Sequence, residues 1–164
     1  MEYALAITLG LVLAASAGLR AFLPLLVVSG LAFAGQIELA DSLAWMGSPV
    51  TLLALLVGVL GEVLADKIPA IDHLMDTVGT LARPTAGALA GASLLAGADP
   101  LIVMVMGVAA GGAVAGATHI GKASVRAGSS ATTLGMANPV ISGVEDLIAL
   151  ALGSGAAVAA VAMA

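Results

Sequence analysis

The sequence contains no cysteine, which excludes disulfides, thiolate metal sites and cysteine nucleophiles and leaves the redox compartment open. It has little charge of either sign: Asp, Glu, Lys and Arg make up 9% of the residues, against about 25% in ordinary soluble domains. Basic residues are the scarcer kind, and a net charge of −5 without a Lys/Arg run argues against a nucleic-acid partner. Also missing are a nucleophile elbow, a paired-histidine zinc motif, a Walker loop and a dinucleotide fingerprint. The expectation is a protein that is not an enzyme, needs no cofactor and is not driven by ATP.

What the chain has in abundance is apolar surface: 61% hydrophobic residues and a mean hydropathy of +1.17. Such a chain cannot cover itself with water-compatible groups, so the solvent it expects is a bilayer. Residues 1–164 read as a single integral membrane domain. Glu2 stands where a signal peptide would be basic, so the first apolar segment is expected to stay in the protein.

The hydropathy pattern divides the chain into seven apolar segments. Tyr3 to Leu19 is one span; after a break around Arg20 and Pro24 comes a short helix to Ala34, then a polar connection with Trp45 at the interface. Val50 to Ala65, Thr85 to Ala98 and Leu101 to Thr118 follow, with His119 to Ser130 read as a polar loop. The last run is read as broken at Asn138-Pro139 and at Glu145-Asp146, leaving Leu147 to Ala164 as the final span. Several segments hold about 14 residues or fewer, roughly 21 Å of helix against a hydrocarbon core near 30 Å, so broken or re-entrant pieces are expected. The fold class is therefore all-α, a polytopic transmembrane bundle with short or broken helices. Recurring features (Ser48-Pro49-Val50 and Asn138-Pro139-Val140, each before a Glu-bearing helix) admit two three-segment repeats joined by a linker helix. Placing Lys and Arg on the cytoplasmic side threads the N-terminus outside, makes the basic loops cytoplasmic and, with seven crossings, puts the C-terminus inside.

The organising stretch runs from Gly61 to Arg83, which holds seven of the 17 charged or imidazole side chains. Glu62 and Asp66, at i and i+4 beside Lys67, face one way on a helix and could hold a cation or proton; the bland alternative is solvation at the interface. Asp72, His73 and Asp76 have spacing that suits a divalent metal ion, and equally suits a solvated interfacial helix. Arg20 is a counter-charge for Glu62, Glu145 or Asp146, a group that binds an anionic substrate or lipid phosphate, or a topology anchor that snorkels to the interface. Adjacent Glu145 and Asp146 cannot share one helix face, and Asn138-Pro139 upstream opens the backbone. His119, Lys122 and Arg126, at i, i+3 and i+7, could meet an anion or headgroup, although a cytoplasmic loop is the plainer account. Among the 21 glycines, Gly87-x-x-x-Gly91, Gly107-x-x-x-Gly111 and Gly112-x-x-x-Gly116 are small-residue faces suited to close helix packing, within the chain or between copies.

Three blocks resemble a known family: Ser16-Ala-Gly-Leu-Arg-Ala-Phe-Leu-Pro-Leu25; Ala65 to His73 leading to Arg83-Pro-Thr-Ala-Gly-Ala88; and Thr118 to Gly128 leading to Asn138-Pro-Val140 and Glu145-Asp146. Together they are similar to the small bacterial membrane proteins grouped as domain of unknown function 4126, with Ala70 where that family would carry glycine. The resemblance implies a multi-pass protein of the bacterial inner membrane with no established activity. The function expected from the residues is ATP-independent transport, or channel-like passage, of an ion or small polar solute by a homo-oligomer. Alternatives are a protein that handles lipid phosphate headgroups and a structural or assembly subunit of the membrane.

Overall fold

The computed structural model describes residues 3–65 and 69–162, with side chains described outside 69–76. Asp66 and Lys67, and the side chains of Asp72, His73 and Asp76, lie outside the described residues, and so does the metal reading that rests on the last three.

The described chain is helical throughout: α1 (Tyr3–Leu19), α2 (Phe22–Phe33), a 3-10 turn (Asp41–Gly47), α3 (Pro49–Ala65), α4 (Pro69–Ser93), α5 (Pro100–Val105), a π-helical segment (Met106–Gly111), α6 (Gly112–Thr133) and α7 (Asn138–Val161). α5, the π segment and α6 form one continuous rod, Pro100–Thr133. That rod and α7 are long and apolar enough to cross a membrane, and the 3-10 turn with α3 makes a third apolar unit bent by 70°.

α1 is apolar all round and sits at the centre, packed against α4, α6 and α7. Its glycines set the spacing. A methyl added at Gly10 would strike the Gly91 carbonyl, and one at Gly18 the Ala115 carbonyl. Gly87 and Gly91 of α4 likewise lie against Gly111, and Gly107 against Ala88. Two of the small-residue faces therefore serve packing inside one chain, where backbones that touch gain dispersion contacts without burying a polar group.

α1 and α7 run antiparallel. Ser16 Oγ donates to the Ala149 carbonyl at 2.8 Å, and Arg20, one turn further along α1, reaches Ser142, earlier in α7. Tyr3 Oη donates to Gly97 O at 3.2 Å, so the start of α1, the end of α4 and the end of α7 share one end of the bundle.

Three sequence expectations change here. Residues 119–130 are not a loop but the middle of α6, and Glu145-Asp146 lies inside α7 rather than at a break. Thr85 to Ala98 is not a separate linker helix; α4 runs continuously through Pro84 to Ser93. The physical reason is common to the first two: the polar residues that looked like loop are matched inside the bundle, so the helix has no need to stop in water. Asn138-Pro139 does mark a boundary, as the start of α7, where proline's missing N–H costs nothing.

Candidate functional site

Where α1 ends, α2 begins and α6 and α7 diverge, the bundle encloses a charge cluster. It contains four of the chain's five Lys and Arg residues, each nearly fully buried: Arg20 (2% exposed), Arg83 (2%), Lys122 (4%) and Arg126 (4%). From Tyr3 to Arg20 α1 spans roughly 26 Å at 1.5 Å per residue, so the cluster lies that far from the end where the chain starts.

Glu145 of α7 is the hub. Arg126 grips it with two hydrogen bonds, Nε to Oε1 at 3.3 Å and an Nη nitrogen to Oε2 at 2.8 Å, the forked geometry in which guanidinium binds carboxylate best. Lys122 Nζ lies 3.3 Å from the same Oε2 and donates to the Leu19 carbonyl at the end of α1, also at 3.3 Å. One turn away, Arg20 pairs through Nε with Asp146 and donates to Ser142 Oγ at 2.9 Å. Arg83 reaches across from α4 to His119 Nδ1. A guanidinium only donates, so Nδ1 is the acceptor and the ring proton sits on Nε2.

Adjacent in sequence, Glu145 and Asp146 do not share a helix face, as their positions required. A step of one residue turns their side chains apart, toward Lys122 and Arg126 of α6 on one side and Arg20 of α1 on the other. Asp146 is the exposed edge of this network, with 31% of its side chain accessible.

Glu62 is buried in α3 rather than solvated, and it reaches the start of α2. Its carboxylate accepts from the backbone N–H groups of Ala21 at 3.0 Å and Phe22 at 3.4 Å, closing the N-terminus of α2. α2 has no capping side chain of its own, since Ala21 stands at that position. A carboxylate there satisfies orphan amides and meets the positive end of the helix dipole. Glu62→Ala is expected to lower stability by about 1–2 kcal/mol in detergent unfolding measurements; an unchanged unfolding midpoint would mean that water caps α2 equally well.

The structure thus brings together Arg20, His119, Lys122, Arg126, Glu145 and Asp146, with the Glu62 carboxylate on the backbone N–H of Ala21, the residue after Arg20. Asn138 stands apart at the first position of α7, where its Nδ2 donates to Ser130 Oγ at 3.2 Å. Arg83 and Ser142 are members that the sequence-derived site did not include. Ser142 had a usable signal, lying three and four residues before the acidic pair and so on the same helix face. Among the described residues, no three His, Asp or Glu side chains converge as they would around a metal ion. A concavity of about 450 Å³ at the opposite end, lined by Tyr3, Gln36, Glu38 and Gly97 among others, takes no part in the cluster.

The family model described as Domain of unknown function (DUF4126) matches residues 7–164. The chain belongs to the DUF4126 family. The matched region contains every residue of the charge cluster, so the network lies in the part of the chain that defines a DUF4126 domain. No curated protein and no solved structure matches the chain.

Proposed function

We propose that this DUF4126 protein is an integral membrane protein that passes an ion or small polar solute without ATP, using the charge cluster as its binding site. The observation that carries the reading is the inverted amphipathicity of α3 and α6. The one buried residue of α3 is Glu62, and those of α6 are Ala115, His119, Lys122 and Arg126. Outward from the same helices point Val50, Leu53, Leu60, Ile120 and Val125, all more than half exposed. In water that pattern would be inside out; in lipid it is what a polar interior requires.

Stability alone does not account for such an interior. Each buried ion gives up several kcal/mol of hydration, and apolar residues of similar volume often hold a fold as well or better. Intramembrane charges of this kind mark ion and solute paths. The break between α1 and α2 at Arg20 and the bend before α3 supply points about which the helices can shift. The cytoplasmic side is assigned to the cluster by the bias of Lys and Arg toward that face. Copies are proposed to associate through the exposed apolar faces of α3 and α7.

Proteoliposomes containing the purified full chain supply the test, with panels of small ions and polar solutes. Wild type is expected to carry at least one of them, Arg126→Gln and Glu62→Gln to carry it about tenfold more slowly or worse, and Glu38→Gln at the far end to behave like wild type. Flux no greater than in protein-free liposomes across the panel would remove the reading. A lipid-handling role is the second reading, favoured by the exposed edge of Asp146 beside Val144, Leu147 and Leu150, which are at least half exposed.

A further inference from the structure

Resting on that reading, we infer that the ligand is an oxyanion, a carboxylate or phosphate group, which takes the place of Glu145 between Arg126 and Lys122. The cluster contains three separate anion-recognition devices, and each is occupied by a carboxylate of the chain itself. The Arg126 fork and Lys122 hold Glu145, Arg20 holds Asp146, and the N-terminus of α2 holds Glu62. An incoming oxyanion can exchange with Glu145 like for like, because a forked guanidinium offers a phosphate or carboxylate the same two parallel hydrogen bonds. A cation has no such exchange. Both Glu145 oxygens are already engaged, and it would have to enter a space where Arg20, Arg83 and Arg126 all act on the charge of Lys122.

The layout also supplies a way in and a way to clear the site. Asp146 is the accessible edge, so the Arg20 pair is reached first and the Glu145 pair behind it. Both carboxylates and Ser142 ride on α7, and α6 and α7 touch along only a short stretch. A movement of the first third of α7 relative to α6, the neighbour it touches least, therefore withdraws Glu145 from the fork. Glu145 acts as a built-in competitor, and the apparent affinity for ligand is reduced by the fraction of time it stays in the fork.

Equilibrium binding to the full chain in detergent tests this, with radiolabelled inorganic phosphate as one probe and a short-chain phosphatidic acid as the other. Saturable binding of either supports the inference; phosphate alone identifies a free anion as the source, and the phosphatidic acid alone identifies a headgroup. Glu145→Gln is expected to tighten binding about tenfold by removing the competitor, and Arg126→Gln to abolish it. The triple change Lys122→Gln, Arg126→Gln and Glu145→Gln leaves none of the three grouped positions charged, so the fold carries no lone ion there, and it is expected to bind neither probe. Absence of saturable binding by folded wild type and Glu145→Gln, or binding that survives Arg126→Gln, overturns the proposal. Oxyanion binding without flux in proteoliposomes would overturn transport and leave this inference standing. Flux of a cation with no oxyanion binding would do the reverse.

Discussion

Replacing Glu145 with alanine is expected to destabilise the protein by about 3–5 kcal/mol, because it leaves Lys122 and Arg126 buried side by side without their shared anion. The loss is not that of one ion pair. It combines the hydration that two enclosed cations no longer recover with the repulsion between them, in surroundings where water cannot screen either. Removing the whole group should behave differently. With Glu145→Leu, Lys122→Met and Arg126→Met together, stability in detergent is expected to return to within about 1–2 kcal/mol of wild type or to exceed it, since volume-matched apolar residues often replace buried ions without cost. Thermal unfolding of the two variants decides the matter. A single-variant loss under about 1 kcal/mol would show that the cluster is hydrated.

Gly111→Ala is expected to cost about 3 kcal/mol, at the upper end of what overpacking does, and to lower the yield of monodisperse protein. The added methyl would meet the backbone of Gly87 and Gly91, atoms that cannot turn aside as a side-chain tip can. Relief requires α4 to move off the Pro100–Thr133 rod, which opens the contacts that α1 makes with both. The same substitution at Gly121 meets nothing within 4 Å and should be neutral or stabilising by about 0.5–1 kcal/mol, as alanine is the better helix former. Equal losses at the two positions would mean that the close approach of backbones is not what holds this bundle together.

Much of the architecture was legible in the sequence, and the misreadings in α6 and α7 have one source. α1 and α3 lie within a residue of their expected bounds because both are apolar apart from Glu62 in α3 and are bounded by a charge or a proline. The glycine faces of α4 and the Pro100–Thr133 rod were readable from their four-residue spacing. Residues 119–130 misled because hydropathy averages over all sides of a helix, whereas His119, Lys122 and Arg126 occupy one. Their i, i+3, i+7 spacing carried the correct message, that one strip is polar and the rest is not. Arg20, which the sequence left open between counter-charge, anion-binding group and anchor, is buried and pairs with Asp146. The cap that Glu62 provides was not legible at all. Its partners lie about 40 residues earlier, and only the return of α3 beside the start of α2 brings them within reach.

The π-helical segment at 106–111 has a consequence for phase. Its wider winding holds one residue more than an α-helical stretch of the same number of turns, so it sets the angular position of everything that follows on the rod. Were those six residues to tighten into regular α-helix, the strip bearing His119, Lys122 and Arg126 would swing by about one residue's worth of turn, roughly 100° at 3.6 residues per turn. Rewinding one loose coil near Gly111 would thereby carry the basic strip out of register with α7, without unfolding any other helix.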